Sequence, residues 1–189
     1  MSIAMTRHLF TVQEYARIRE AGILTEDDRV ELLDGEIYVM SPIGPLHVSI
    51  INKLNKILMN QVGDNGIISI QNPIQLSDYS EPQPDITILS PREDFYTSAL
   101  PTPDDVLLII EIADSSIDYD RDEKLPRYAR AQISEVWIVD VHKSVIEQYT
   151  QPLQGEYTQL HKVLLGNIVT ATTIANVCID TTQIFLFAP

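Results

Sequence analysis

Pro84-Asp85-Ile86-Thr87-Ile88-Leu89, Val106-Leu107-Leu108-Ile109-Ile110-Glu111-Ile112-Ala113 and Asp120-Arg121-Asp122-Glu123-Lys124-Leu125-Pro126-Arg127-Tyr128 fall within one stretch that decides the fold. The first two pieces are apolar runs of strand length, and each holds one acid. The third is helix-like and carries a lysine. The run over 106–113 is continuously apolar, as in a central strand covered on both faces. An ionised carboxylate inside such a strand is costly unless it is paired or bound to a cation. If the two strands are neighbours in register, Asp85 and Glu111 can reach one point. One or two carboxylates completed by water and phosphate oxygens are what Mg²⁺ prefers, and such an ion activates water against a phosphoryl group. Lys124 could hold or help deprotonate the attacking water, or neutralise the charge on the reacting phosphate. Tyr128, four residues on, shares its helix face.

Each of these residues also has a plainer role open to it. Asp85 after a proline could be a turn or cap residue. Glu111 could be solvated beyond the sheet. Lys124, among Asp120, Asp122 and Glu123, could lie on a solvated helix face with weak ion pairs.

Outward from this stretch, the chain reads as a mixed sheet with helices packed on it, of α+β type. Thr11 and Glu14 form a capping box for a helix over 11–21. Asp34-Gly35 between apolar runs predicts an N-terminal hairpin over 30–40. Val48, Ile51, Leu54, Leu58 and Val62 recur at helical spacing and predict a helix from Pro45 to Val62. His47 in its first turn is expected to cap or pack. A strand is expected at 67–77 with a break at Pro73, and an exposed, mobile loop at 91–105. Pro126 lacks an N–H, so the regular helix of 118–131 is expected to start no earlier than Asp122. Further strands are expected at 135–141, 144–149, 155–162 and 168–172, before an apolar tail of Ile184 to Phe187. No linker or repeat divides the chain, so one domain over 1–189 is expected.

The 189 residues are 44% hydrophobic and 21% charged, the balance of a globular protein. No run is long enough to span a bilayer, and no secretory leader is evident. The single Cys178 is expected to be a small buried hydrophobe, and these points together favour the cytoplasm. With 27 Asp and Glu against 13 Lys and Arg, the net charge is -14. Phosphate binding normally draws on basic residues, so a nucleic-acid partner would need a local basic patch or bound cations.

The order Pro-Asp, strand acid, helix lysine resembles the PD-(D/E)XK nuclease superfamily. More specifically the chain resembles the Uma-two family of restriction-endonuclease-like proteins. The matching pieces are Glu31 to Pro42, Gln83-Pro84-Asp85-Ile86, Ile110-Glu111-Ile112, Asp120 to Tyr128 and Glu135 to Asp140. Together they span roughly 8 to 185. The resemblance implies a restriction-endonuclease-like core. It makes Asp85 and Glu111 ligands of Mg²⁺ or Mn²⁺, Lys124 the catalytic lysine, and Glu31 and Gln83 supporting residues. The superfamily's lysine usually follows the strand acid by two residues, where this chain has Ala113. The Uma-two pattern supplies it from the next helix. Where family members read a Ser-Pro-Ser-like turn, this chain has Asp114-Ser115-Ser116.

The expected function is therefore Mg²⁺-dependent hydrolysis of DNA phosphodiester bonds, with a homodimer expected for cutting two strands. The alternatives are a catalytically inactive nuclease fold used for binding or self-association, and a hydrolase of small phosphorylated compounds.

Overall fold

A computed structural model describes residues 6–25 and 27–186. Phe187, the end of the expected apolar tail, lies outside the described residues. The central feature is a six-stranded mixed sheet in the order β3-β4-β5-β6-β7-β8. Its strands are β3 (Ile67–Ile70), β4 (Ile86–Leu89), β5 (Val106–Ala113), β6 (Glu135–Asp140), β7 (Val145–Leu153) and β8 (Glu156–Leu164). Only β5 and β6 run parallel; the other neighbours are antiparallel. A parallel pair needs a crossover, and the helical segment 117–130 provides it.

Alternation along the central strands sorts the core into two layers. Ile110, Ile112, Trp137 and Val139 pack with Ile50, Leu54 and Leu58 of helix α2 (Pro45–Val62) and with Ile184 and Phe185 of the short α5 (Thr181–Phe185). Ile109, Ala113, Val136 and Ile138 face the other way, onto Tyr128 and Ile133. Both faces of β5 are thus covered, which is why its sequence is a continuous apolar run rather than an alternating one.

Before this sheet comes α1 (Val12–Glu20), capped by Thr11 and Glu14 as expected. The hairpin of β1 (Val30–Leu33) and β2 (Glu36–Val39) turns on Asp34 and Gly35, both at positive φ (49° and 81°). Gly35 is required twice over, since a Cβ there would stand 2.6 Å from that of Leu9. The hairpin is tied to the main sheet's approach strand by Glu81 N–H donating to the Leu32 carbonyl at 2.7 Å. That bond sets Glu31 beside Gln83.

The crossover segment begins at α3 (Ile117–Tyr119), widens into a π-helical turn over Asp120–Lys124, and ends in α4 (Leu125–Arg130). Pro126 is the second residue of α4, where its missing N–H does least harm. The regular α-helix thus starts just upstream of the proline, and the wider turn before it carries Leu125 N–H to the Asp120 carbonyl.

Several expectations need correction. The strand expected over 67–77 stops at Ile70, because Gln71 adopts φ 50°. The strand-length run that opens at Pro84 pairs as a strand only from Ile86. Residues 91–105 are largely exposed, as expected, and carry local bonds, with Arg92 and Ser98 both donating to Asp94. Cys178 is exposed. It belongs to β10 (Cys178–Asp180), which pairs only with β9 (Ile168–Thr170) in a two-stranded ribbon. Such a ribbon has too few layers to cover both faces. No helix among the described residues is long and apolar enough to cross a membrane.

Candidate active site

Ile86 pairs with Ile110 across the β4–β5 ladder. One step further along the same register, Asp85 stands opposite Glu111. Directly opposed residues project to the same face, here the face of α4. The Asp85 backbone N–H donates to Glu111 Oε2 at 3.3 Å, and the Ile112 N–H donates to Asp85 Oδ2 at 2.8 Å. Each acid is thereby held by the other's strand.

The π-turn brings Lys124 in from above. Its Nζ lies 3.2 Å from Glu111 Oε1 and 3.5 Å from Glu31 Oε1, and it also points at the Gln83 carbonyl at 3.5 Å. The Tyr128 hydroxyl donates to Glu111 Oε1 at 2.6 Å. Glu31 accepts from the Gln83 N–H at 2.9 Å and from the Tyr119 hydroxyl at 2.8 Å. Lys124 is 5% exposed, Glu111 2% and Glu31 1%, so the solvated-helix role for Lys124 is ruled out. All six residues singled out in the sequence (Glu31, Gln83, Asp85, Glu111, Lys124 and Tyr128) converge.

Four further residues belong to the same cluster. His47 was expected to cap or pack, yet its Nε2 lies 2.8 Å from Asp85 Oδ1. Gln71 donates to the same oxygen at 3.3 Å. Tyr119 holds Glu31. Asp120 is buried at the head of the π-turn and accepts from Ser116 Oγ at 2.6 Å. In the sequence Asp120 registers only as one acid in a charged run. Nothing local marks His47 or Gln71, which sit at element ends that meet Asp85 only in three dimensions. Asp114, the departure from the family's turn, pairs with His142 at 3.0 Å and leaves the ammonium alone.

The electrostatics follow from burial. Glu111 is pushed up to about 8 by burial, opposed by Lys124, and raised further by Asp120 and Asp85. Asp120 is pushed up to about 6, again chiefly by burial. Burial also works against the charge on Asp85, but the His47 bond, Lys124 and the Ile112 N–H outweigh it, and its carboxyl sits below the usual range. Burial works against the ammonium of Lys124 too. The carboxylates of Glu111, Glu31, Asp120 and Asp85 overcome it and hold that group well above an ordinary lysine. Those carboxylates favour the charged form of Lys124, which suits it to hold a water or to neutralise charge.

Glu31, Glu111 and Asp120 are buried and Asp85 half-buried around the Lys124 ammonium. Four carboxyl groups around one ammonium suit a further cation. Glu111 Oε1 and Asp85 Oδ1 each already take two donors, whereas Glu111 Oε2 and Asp85 Oδ2 each take one. The spare lone pairs thus belong to Asp85 Oδ2 and Glu111 Oε2, both beside the Asp85–Ile112 backbone. Among the described residues no three His, Cys, Asp or Glu side chains form a ready ligand set. Two carboxylates with water are sufficient for Mg²⁺, so these residues fit a hard divalent ion. The cluster lies at the floor of an open cleft of about 610 Å³.

A mixed sheet carrying these acids where β4 meets β5 defines a protein of nuclease-type fold. The crystal structure of a "putative nuclease belonging to DUF820 from Anabaena variabilis ATCC 29413" shares it, with a TM-score of 0.70 over 93% of this chain and 97% of that one, at 13% identity. None of the curated proteins matches the chain. The chain belongs to the Uma2 family, described as "putative restriction endonuclease", whose model matches residues 12–181.

Proposed function

We propose that this chain is a divalent-metal-dependent endonuclease that hydrolyses phosphodiester bonds of DNA in the cleft of Asp85, Glu111 and Lys124. The observation that carries this reading is the meeting of those three side chains from two strands and a helix, with one lone pair left unused on each acid. Membership in a family described as restriction endonucleases supports the same reaction class.

A bound Mg²⁺ or Mn²⁺ would polarise the phosphoryl oxygen and lower the pKa of a bound water. The remaining work falls to the protein. Asp85 and Glu111 would hold the ion, with Asp85 kept ionised and aimed by His47, Gln71 and the Ile112 N–H. Tyr128 fixes the Glu111 carboxylate in one rotamer. The Lys124 ammonium, buried and held in its charged form, would offset the charge that grows on the non-bridging phosphate oxygens. A donor fixed in a water-poor site needs no reorganisation at that moment. Glu31 and Tyr119 hold the lysine in line from the hairpin side.

The reading is tested by incubating plasmid and short oligonucleotides with the protein in Mg²⁺, in Mn²⁺ and in chelator. Cleavage of at least one of these substrates is expected with either ion, and of neither with chelator. Asp85→Ala is expected to abolish it, and Lys124→Ala to slow it by roughly 100- to 1,000-fold. Circular dichroism of each variant checks that the fold is retained. Cleavage that survives Asp85→Ala would reject this site, and a folded wild-type protein that cuts nothing would leave the binding-module alternative.

A further inference from the structure

The cleft above the acids has walls of unequal character. Apart from Lys124, the basic side chains lining it are Arg19, Arg29 and His47. Arg19, on α1, lies 3.9 Å from the Glu81 carboxylate, and Arg29 donates to the Ser41 carbonyl at 2.6 Å. Asp28, Glu81 and Asp114 line the same walls. Duplex DNA presents two rows of phosphates, and binding it draws on several lysines and arginines that displace counterions. Two guanidiniums among these acids, on a chain of net charge -14, do not supply such a track.

The mouth carries apolar surface instead. Val39, at the end of β2, is 82% exposed, and Met40, Pro42 and Ile43 continue the lip. Val39 is paired through its backbone with Val30, so its outward side chain sits on a fixed strand rather than a loose loop. Val39 and Pro42 are exposed, with half-buried Met40 and Ile43 beside them, so apolar surface is open to whatever enters the cleft. The faces of nucleic-acid bases are the apolar part of the polymer. They are stacked away in a duplex and exposed in an unpaired strand, whose lower charge density also asks less of a basic track.

We propose, on the basis of the nuclease reading above, that the cleft takes an unpaired nucleic-acid strand and excludes an intact duplex. Bases rest on the Val39–Ile43 lip, and the backbone dips to bring one phosphate to Asp85, Glu111 and Lys124. Recession of the acids favours the same choice. Their burial at the cleft floor lets a flexible backbone reach them, whereas a duplex phosphate is held on a stiff cylinder. The lip favours a strand over a small phosphorylated compound, which would need the floor alone.

The test compares three substrates with the full chain in Mg²⁺ or Mn²⁺. They are a labelled deoxyoligonucleotide alone, the same strand annealed to its complement, and bis(p-nitrophenyl) phosphate. The expected result is a kcat/KM for the unpaired strand that exceeds the duplex by roughly tenfold or more. Val39→Glu, at an exposed position that the fold does not need, is expected to raise KM for the unpaired strand by about fivefold or more. Equal cutting of duplex and unpaired strand would overturn the proposal and leave the nuclease reading standing. Hydrolysis of the small diester with neither DNA form cut would overturn it in favour of a small substrate. No hydrolysis of any of the three would overturn the nuclease reading and this proposal together.

Discussion

Lys124 and Glu111 make opposite demands on their surroundings, and the balance between them is measurable. In the folded chain Glu111 is raised from the ordinary 4.5 to about 8. The folded state therefore holds a proton that the unfolded chain has already released. From this group, stability falls as pH climbs from about 4.5 through about 8. A divalent cation requires the ionised carboxylate, so binding at pH 7 should release close to one proton. Calorimetric titration of Mg²⁺ in buffers of different ionisation enthalpy measures that release directly. Affinity should rise by about tenfold per pH unit below 8 and level off above it. Glu111→Gln should remove both the proton release and the pH dependence. Asp85, Glu111 and Lys124 were singled out because acids inside apolar runs are costly and the family resemblance links them to the lysine, although each had an inert role open to it. His47 and Gln71 were not, because a first-turn histidine and a strand-end glutamine are ordinary until the fold sets them on Asp85. Cys178 misled for the converse reason: an apolar neighbourhood in sequence did not mean coverage in space.

Among the elements, β5 and the Asp34-Gly35 hairpin were readable from local rules, since a fully buried strand and a turn at positive φ each leave a compositional mark. The π-turn left none beyond the proline that follows it. β6 holds a buried acid of a different kind. Glu135 is fully buried, and its two oxygens accept from Trp137 Nε1, Gln148 Nε2 and the backbone N–H and hydroxyl groups of Thr172 and Thr173. The indole, amide and backbone N–H partners all donate, which suits a carboxylate, and the residue pins the segment between β9 and β10 to the sheet. Glu135→Gln sets an amide N–H₂ against donors and should cost about 3 kcal/mol, read from urea unfolding, without changing the metal affinity of the cleft. Thr87 on β4 shows the reverse case. Its buried hydroxyl has no partner among the described residues, so the near-isosteric Thr87→Val should stabilise the chain by about 1 kcal/mol in the same assay.

At the scale of the whole molecule, a net charge of -14 makes the folded chain repel itself. Added NaCl should raise Tm gradually as that repulsion is screened. Mg²⁺ should act in two ways, by the same screening and by occupying Asp85 and Glu111. The second part saturates, and at one hundred times Kd it amounts to about 2.7 kcal/mol. A thermal-shift series in Mg²⁺ should therefore show a saturable step above the NaCl curve, and Asp85→Ala should erase the step alone. The same chain also holds its ammonium by angular phase. Lys124 closes the five-residue wide turn, and successive helical residues are about 100° apart. Deleting the exposed Asp122 would let the turn tighten to an ordinary helix and swing the amine a quarter-circle or more away from the acids, while β5, β6 and their core stayed in place. On the proposed nuclease reading, one lost codon would thus silence the chain while leaving nearly the same shape.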